Sequence, residues 1–399
     1  MTCIFLIVFI TSCQLNEKAG DSSINSNSDT TNSNETMQTN TLTSETTTTN
    51  VSTSVLPGSQ STMDGITKKP TKTNATTTTS KASAASTTKA VSNLKYMEVL
   101  KDPYFKSGFN VRGLSPITDG ESVRAVFNYG NNKLNPSWIL GQWSSRYSFA
   151  DNNTLDKLGG GVYRYNNPNK TVTVNTSTGE IALKAFASKC YDAPRKEGES
   201  WMHLLLEQDF LSGNHQNLDK YSVQLMKEFR VKMQVKLSYF VDQMNGQAKR
   251  GLHAAQYTMF LTISDRNPNN SSGYGDGIWF GVPVFDNRRE VILPFAQEDA
   301  GQAGASGKFI YSLSNASYMN SNFFVDGTPV GKETNKWITI DVDVLPYIKE
   351  AFNMAKERGY LKQTNYNELY ISGMNIGWEL PGTYDVEMKM KNFSLLAGK

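Results

Sequence analysis

The sequence predicts an all-β domain built as a jelly-roll sandwich, in which two antiparallel sheets stack face to face. Three observations carry this prediction. Many short segments alternate between apolar and polar residues, the loops between them are rich in Gly and Asn, and only one segment has clear helical periodicity. We expect this domain to occupy residues 93–399.

The strands are predicted from a period of two residues. Phe229–Tyr239 alternates most regularly, with apolar residues on one side and mainly basic and polar residues on the other, as in a strand with one solvated face. Thr171–Asn175 and Glu180–Phe186 flank a TSTG turn and predict a hairpin. Trp337–Val344 and Tyr384–Met390 alternate in the same manner.

The single predicted helix spans Leu345–Gly359. Pro346 stands near its start, Gly359 is placed to end it, and apolar residues recur at helical spacing between them. A lone amphipathic helix among many strands is expected to lie against the outside of the sandwich.

The N-terminal sequence predicts that the protein is exported. Met1–Cys13 is a short apolar run that is too short to span a bilayer and reads as a signal peptide. Its end, Ile10-Thr11-Ser12-Cys13, resembles the lipobox of bacterial lipoproteins, and that resemblance implies that Cys13 is acylated after cleavage. The expected location is therefore extracytoplasmic and membrane-anchored at the cell surface. The alternative is an ordinary signal peptide and a secreted protein.

Residues 14–92 predict a disordered linker, because Ser, Thr and Asn dominate and large apolar residues are nearly absent. Its six lysines balance its six acids, so the net charge of +3 belongs to the folded part. That balance argues against nucleic acid as a partner. Only Cys190 remains for the mature domain, no motif with metal-ligand spacing is present, and we expect a monomer.

The stretch Leu369–Leu380, LYISGMNIGWEL, is the strongest candidate for a functional strand. Gly373, Asn375, Gly377 and Glu379 share one face, opposite a mainly apolar face. Glycines inside a strand often mark the close approach of another group. We therefore expect a glycan-binding groove with Glu379 as an acid and Asn375 as a contact. A glycine-rich bend with a solvated Glu is the alternative.

A glycosidase needs a second carboxyl group, and Trp201–Phe210 offers one. Its alternation places His203, Glu207 and Asp209 on one side, and Glu207 is the preferred partner of Glu379. An internal ion pair or hydrogen-bond network is the alternative. In the next candidate strand, His253 and Gln256 are potential substrate contacts, and a His near a Gln and a Tyr also suits a polysaccharide lyase.

Aromatic side chains could stack on sugar rings while neighbouring polar groups bind hydroxyls. Trp138 and Gln142 share one side of Pro136–Phe149, and Trp279 shares its face with Gly277 and Gly281. Core packing is the alternative for each Trp. The run 286–289, Asp-Asn-Arg-Arg, would be a rim contact or a charged turn. The acidic loops could also hold a structural Ca²⁺; no other cofactor is expected.

The C-terminal order of elements resembles the end of family-12 glycoside hydrolases, the jelly-roll endoglucanases of the concanavalin A-like type. A WITIDVDVL strand, a helix ending ERGYL, Gly377-Trp378-Glu379 and Phe393-Ser394-Leu395 carry the resemblance, over about residues 336–396. It implies that Glu379 is the general acid/base. Where the family has its nucleophilic Glu this chain has a glycine, and Asp276 lies one position away.

Two main hypotheses follow. One is a surface-anchored glycoside hydrolase that cleaves a β-glucan-like polysaccharide, with Glu379 as acid/base and Glu207 or Asp276 as the second carboxylate. The other is a non-catalytic glycan-binding lipoprotein that uses the same groove. A structural or adhesin-like surface protein and a polysaccharide lyase are further alternatives.

Overall fold

The computed structural model of this protein describes residues 94–211, 218–270, 272–300, 305–330 and 336–399. The predicted signal peptide, Cys13 and the predicted linker lie outside these residues. The described part contains strands that we number in chain order: β1 Tyr96–Glu98, β2 Phe109–Arg112, β3 Val123–Phe127, β4 Trp138–Gly141, β5 Thr154–Gly159, β6 Val162–Asn166, β7 Lys170–Asn175, β8 Glu180–Phe186, β9 Met202–Asp209, β10 Glu228–Asp242, β11 Gln256–Asp265, β12 Gly277–Asp286, β13 Phe295–Glu298, β14 Phe309–Ser312, β15 Phe324–Val325, β16 Thr328–Pro329, β17 Ile338–Asp343, β18 Leu369–Leu380 and β19 Tyr384–Gly398.

Two large sheets contain all of these strands except the small β15–β16 pair. The first sheet, here the outer sheet, has eight strands in the order β17-β10-β19-β8-β7-β6-β5, with β1 also paired to β19. The second, here the inner sheet, has nine strands in the order β13-β14-β12-β11-β18-β9-β4-β2-β3. The all-β sandwich is confirmed. Its pairing is mainly antiparallel, but β12–β14 and β2–β4 are parallel.

The regular alternation of β10 explains how the outer sheet lies. From Phe229 to Leu237, every second residue is buried and the residues between are partly exposed. The predicted hairpin is also present, because β7 pairs with β8 and places Val172 opposite Leu183. These apolar faces look into the sandwich, where each fully buried aliphatic side chain contributes roughly 1.5–3 kcal/mol.

The core lies between the two sheets, and Trp378 of β18 joins them. Its ring is buried against Tyr257 of β11. Its indole N–H donates to the carbonyl of Leu183 in β8, at 3.0 Å, so an inner-sheet side chain binds outer-sheet backbone. Met374 and Ile376 point the same way. The predicted apolar side of this stretch is therefore core.

The strands β18 and β19 follow each other directly in the chain but belong to different sheets. Each lies in the middle of its sheet: β18 between β11 and β9, and β19 between β10 and β8. β1, the first strand of the described domain, pairs with the end of β19. Residues 369–398 therefore supply a central strand to both layers.

The helix α1 spans Leu345–Glu357 and begins with Pro346 in its first turn. Ile348, Ala351, Phe352 and Ala355 form its buried face, as their spacing predicts. The helix contacts β12 of the inner sheet and β10 of the outer sheet. Short 3-10 helices span Ala187–Lys189, Leu218–Tyr221, Val223–Leu225, Asn315–Ser317 and Tyr366–Glu368. Within the described residues, no helix has the length and apolar character needed to cross a bilayer.

Candidate functional site

Glu379 lies near the end of β18, on the face of the inner sheet that points away from the core. Its neighbours across the ladders are His203 in β9 and Gln256 in β11. Its side chain alternates with the core residues Trp378 and Leu380, so the period-two pattern sets its direction. Only 4% of Glu379 is exposed. The predicted position on the non-core face is thus found, but the side chain is not solvated.

Burial changes the chemistry of this carboxyl group. Loss of hydration raises the pKa of Glu379 from 4.5 to about 8, because a buried carboxylate is unfavourable. The indole N–H of Trp201 offsets part of this rise, and the charge of Asp299 adds to it. Glu379 is therefore mainly protonated at neutral pH, and it can donate a hydrogen bond or a proton.

Glu379 lines a pocket that lies between the inner-sheet strands and the loop that follows β12. The pocket has a volume of about 350 Å³ when its open mouth is included. Its enclosed interior is much smaller, about 20 Å³, which is room for about one water molecule. That interior suits a water molecule or the edge of a ring, not an extended chain. The lining residues are Gln256, Thr258, Phe260, Pro283, Phe285, Asp286, Ile292, Phe295, Ser312 and Glu379.

The second carboxyl group in this pocket belongs to Asp286, at the end of β12. Gln256 pairs with Glu379 on one side and with Asp286 on the other, so the two acids stand two strands apart. Two strand spacings separate their Cα atoms by about 9–10 Å. The sequence predicts for Asp286 a glycan contact at the rim or a place in a charged turn, not a role as the second carboxyl group. The signal that could have identified it is its register with Glu379, which depends on long-range pairing.

Asp286 is held by a buried ion pair. Arg288 donates from Nε to Oδ1 at 2.8 Å and from Nη2 to Oδ2 at 2.6 Å. Gln256 Nε2 donates to the same Oδ2 at 3.2 Å. A bidentate arginine fixes the orientation of a carboxylate. The pocket therefore combines a neutral acid with a carboxylate that Arg288 neutralises.

Glu207 does not share this pocket. It lies on the same face of the inner sheet, but its neighbour across the ladder is Asn375, four residues before Glu379. This places it about 13 Å further along the strands. Its Oε1 lies over Gly141, where a Cβ atom would be 2.3 Å away. The predicted pairing of Glu207 with Glu379 is wrong for this structure, because the register of β9 on β18 separates them.

Glu207 and Asn375 are instead buried neighbours across the ladder between β9 and β18. Burial raises the pKa of Glu207 to about 8, while Arg112 lowers it and Glu121 raises it further. Glu207 Oε1 and both side-chain polar atoms of Asn375 have no hydrogen-bond partner among the described residues. Buried polar atoms of this kind usually bind ordered water. Asn375 is 1% exposed and does not line the pocket of Glu379.

Asp276 lies far from both acids. It is exposed and directly precedes β12, at the end where Gly277 pairs with Ser264 and Ser264 with Tyr370. Tyr370 is nine residues before Glu379, a distance of about 30 Å along β18. The hypothesis that Asp276 is the second carboxylate is therefore wrong.

The glycines of β18 serve strand packing rather than a ligand. A Cβ atom on Gly377 would lie 2.2 Å from the carbonyl oxygen of Leu204. One on Gly373 would lie 2.9 Å from the carbonyl oxygen of Gln208. The group that approaches is thus the backbone of β9. This corrects the prediction of a glycine floor for sugar.

Two predicted sugar contacts belong to the framework. Trp138 is fully buried, packs on Phe105 at a centroid distance of 4.9 Å and donates to the carbonyl of Asp102. Gln142 is also fully buried. Its Nε2 donates to the carbonyl of Arg112 at 2.7 Å, and its Oε1 accepts from the amide of Phe149 at 2.9 Å. Both assignments as substrate contacts are wrong.

Trp279 lies on the non-core face as predicted, but it is not an open platform. It is 3% exposed and packs with Phe260 and Ile310, and its indole N–H donates to Ser306 Oγ at 3.0 Å. The space above Gly281 is filled by Ser312 and Phe260. An apolar cluster therefore covers the surface that the sequence predicted for stacking.

Both histidines that the sequence predicts in strands are buried, but only His203 lies in a strand, β9, while His253 lies in the loop before β11. His203 lies between Trp201 and Trp143, with ring centroids 5.7 and 5.8 Å away, and burial lowers its pKa to about 4. His253 Nδ1 accepts from the amide of Lys249 at 3.0 Å, and its Nε2 lies 2.8 Å from the carbonyl oxygen of Arg195. His253 therefore ties two loops together. Of the polar contacts predicted from sequence, only Gln256 lines the pocket with Glu379.

The suggested structural Ca²⁺ has no support in the part of the chain that the structure describes. There, no group of three or more His, Cys, Asp or Glu side chains is arranged to hold a metal ion.

Comparison with known proteins gives fold-level likeness. No family model and no curated protein matches the sequence. Among solved structures, an endoglucanase from Rhodothermus marinus is similar at 14% identity and a TM-score of 0.32, over 61% of this chain and 95% of that one. A family 12 xyloglucanase from Bacillus licheniformis is similar at 9% identity and a TM-score of 0.33, over 61% and 98%.

A family 11 xylanase from Neocallimastix patriciarum gives 6% identity and a TM-score of 0.30, over 61% of this chain and 94% of that one. Likenesses of this size do not assign residue roles. The description of the fold rests on the two sheets themselves, and the description of the site on its own contacts.

Proposed function

We propose that this protein is a surface-anchored, carbohydrate-binding protein in which the pocket of Glu379 receives the edge of one terminal sugar of a polysaccharide. The observation that carries this proposal is a buried carboxyl group, with a pKa that burial raises to about 8, which lines a pocket beside an amide and a second carboxylate. A neutral acid can both donate and accept hydrogen bonds, which suits the hydroxyl groups of a sugar.

The walls of the pocket fit this ligand class. Phe260 and Phe295 supply aromatic surface for the C–H face of a ring, while Gln256, Thr258 and Ser312 supply polar groups. Ser312 Oγ is buried and has no hydrogen-bond partner among the described residues, so a ligand hydroxyl or a water molecule would satisfy it. The narrow interior favours a chain end or a branch over the middle of a chain.

The anchor is part of the same proposal. The lipobox-like Ile10–Cys13 and the Ser/Thr/Asn-rich linker 14–92 support a domain held at the cell surface by an acyl chain on Cys13. Replacing Cys13 by Ser should move the protein from the membrane fraction to the medium. An unchanged membrane fraction would refute acylation.

The binding proposal is tested by titration calorimetry with neutral β-glucan and β-xylan oligosaccharides. We expect Glu379→Leu to weaken binding at least tenfold. Leucine has a similar side-chain volume but lacks the carboxyl group that donates and accepts hydrogen bonds. Glu207→Leu is the matched control, since Glu207 is the same residue type, equally buried and outside the pocket. We expect it to change affinity less than twofold. Equal binding by wild type and Glu379→Leu would exclude this pocket.

Hydrolysis is the second candidate function, and the pair of Glu379 and Asp286 favours it. A glycosidase needs one protonated and one ionised carboxyl group on either side of the scissile bond. Glu379 meets the first condition and Asp286 the second. For Asp286 to act on water or on the sugar, it would have to exchange a hydrogen bond from Arg288 for one to the substrate.

Reducing-sugar release on the same oligosaccharides separates the two functions. If the protein is a hydrolase, Glu379→Gln should bind within a few-fold of wild type and lose at least a hundredfold in turnover, since an amide cannot donate a proton. Binding by wild type with no release of reducing ends would leave the carbohydrate-binding function alone.

A further inference from the structure

The polar side chains of the Glu379 pocket form one row across three strands. In the ladders, Gln256 of β11 lies between Glu379 of β18 and Asp286 of β12. Burial raises the pKa of Glu379 to about 8, so at neutral pH its carboxyl group supplies a hydrogen-bond donor. Gln256 Nε2 donates to Asp286 Oδ2 at 3.2 Å, and Oε1 is therefore the atom of this amide that can accept from a ligand.

Away from this row the lining of the pocket becomes mainly apolar. Thr258 and Pro283 face each other in the next row of the β11–β12 ladder, and Phe260 follows two residues later in β11. Ile292 and Phe295 complete this part of the lining. We call Phe260, Pro283, Ile292 and Phe295 the apolar wall. An apolar group gains free energy when it is buried against such a surface.

Hydrogen bonds from neighbouring segments hold the apolar wall in place. The backbone amide of Ile292 donates to Asn315 Oδ1 at 2.8 Å, and Asn315 is buried. The hydroxyl group of Tyr318 donates to the carbonyl oxygen of Pro283 at 2.5 Å. These contacts fix the loop and the strand that carry the wall. The pocket therefore has its shape before a ligand arrives, and a preformed pocket selects its ligand by size and shape.

The size of the interior limits what can reach the apolar wall. An interior of about 20 Å³ has room for about one water molecule, so a sugar ring cannot enter and only a small substituent can. A methyl group is close to this size and is apolar. A hydroxyl group also fits by size, but against the apolar wall it loses hydration that a methyl group does not have.

From these features we propose that the pocket selects a sugar that carries an acetamido group, as the N-acetylhexosamines do. The methyl group enters the interior against the apolar wall, the carbonyl oxygen accepts from Glu379, and the N–H donates to Gln256 Oε1. A donor, an acceptor and an apolar surface thus each meet one part of the same substituent. This inference rests on the carbohydrate-binding function proposed above and names the class of sugar that it takes.

The test compares trisaccharides that differ only in the group at carbon 2. Purified full-length protein is titrated with N,N′,N″-triacetylchitotriose, with cellotriose, which has hydroxyl groups there, and with chitotriose, which has amino groups. We expect the acetylated trisaccharide to bind about tenfold tighter than either of the others, since one buried methyl group and one added hydrogen bond correspond to about that factor. Equal binding of triacetylchitotriose and cellotriose would overturn the inference.

A variant that fills the interior locates the acetamido group. Thr258→Ile adds bulk to the pocket lining and should abolish the preference for triacetylchitotriose over cellotriose. Thr262→Ile is the matched control, because Thr262 lies on the same strand and face, is equally buried and does not line the pocket. It should keep the preference of wild type. If Thr258→Ile folds like wild type by urea denaturation and keeps that preference too, the assignment is wrong.

Failure of this inference is distinguishable from failure of the proposed function. If cellotriose binds as tightly as triacetylchitotriose and Glu379→Leu weakens both, the pocket binds sugar but its assignment to an acetamido group is wrong. If wild type binds none of the trisaccharides, or if Glu379→Leu binds them as tightly as wild type does, the pocket does not bind these sugars and both proposals are refuted.

Discussion

Glu379 and Glu207 lie on the same face of one sheet, are buried to the same extent and have pKa values raised to about 8. Their surroundings differ. Glu379 faces a pocket with Gln256 and Asp286, whereas Glu207 lies over Gly141 and faces Asn375. A raised pKa therefore reflects mainly burial. A pocket beside the acid is what makes it a candidate for binding or catalysis.

The glycines beneath the two acids differ in the same way. A Cβ atom on Gly377 would meet the backbone of Leu204, while one on Gly141 would meet the end of the Glu207 side chain. Backbone in the middle of a sheet cannot move aside, but a side-chain terminus can. The region of Glu379 is thus fixed by strand packing, and the region of Glu207 has room to adjust.

The largest predicted effect is a loss of stability when the strand packing next to Glu379 is disturbed. Gly377→Ala should destabilise the protein by about 3 kcal/mol or more, because the new methyl group overlaps the carbonyl oxygen of Leu204. Urea denaturation measures the change. Gly141→Ala is the matched control and should cost roughly 1 kcal/mol, since Glu207 can rotate away. Equal losses in the two variants would contradict the contrast between the regions.

An effect that is smaller for each pH unit concerns the ionisation of Glu207. Glu207 has a folded pKa of about 8 and an ordinary value of 4.5, so between these values the folded state binds more protons than the unfolded state. Its contribution to stability is therefore complete below about pH 4.5 and is lost as pH rises toward 8. Within this window the free energy of unfolding should fall by up to about 1.4 kcal/mol per pH unit for this group.

Glu207→Gln isolates that contribution from other titrating groups, because the amide keeps the shape and cannot ionise. Denaturation from pH 5 to 8 should show a shallower decline for Glu207→Gln than for wild type. Parallel curves for the two proteins would mean that Glu207 is hydrated and ionised in the folded state. Glu379→Gln should show a similar change in slope, which tests whether both acids are equally buried.

Local patterns predicted much of the fold. The hairpin of β7 and β8, the alternation of β10 and the buried face of α1 follow from residues close in sequence. The direction of Glu379 away from the core follows from the same period. Each of these features depends on one strand, one turn or one helix.

The candidate site was predicted less well, because it depends on how distant strands align. Glu207, Asp276 and Asp286 all lie in or next to inner-sheet strands, but only the register with β18 shows that Asp286 meets Glu379. The sequence also could not show that Phe260 and Ile310 cover Trp279, or that Trp138 packs in the core. Alternation assigns a residue to a face, not to an open surface.

The placement of β18 and β19 has a consequence for the biogenesis of this protein. Since residues 369–398 form a middle strand of each layer, neither layer can be completed until this segment has left the ribosome. The second partner of β9 lies at least 164 positions later in the chain and that of β8 at least 199 positions later, which favours slow folding.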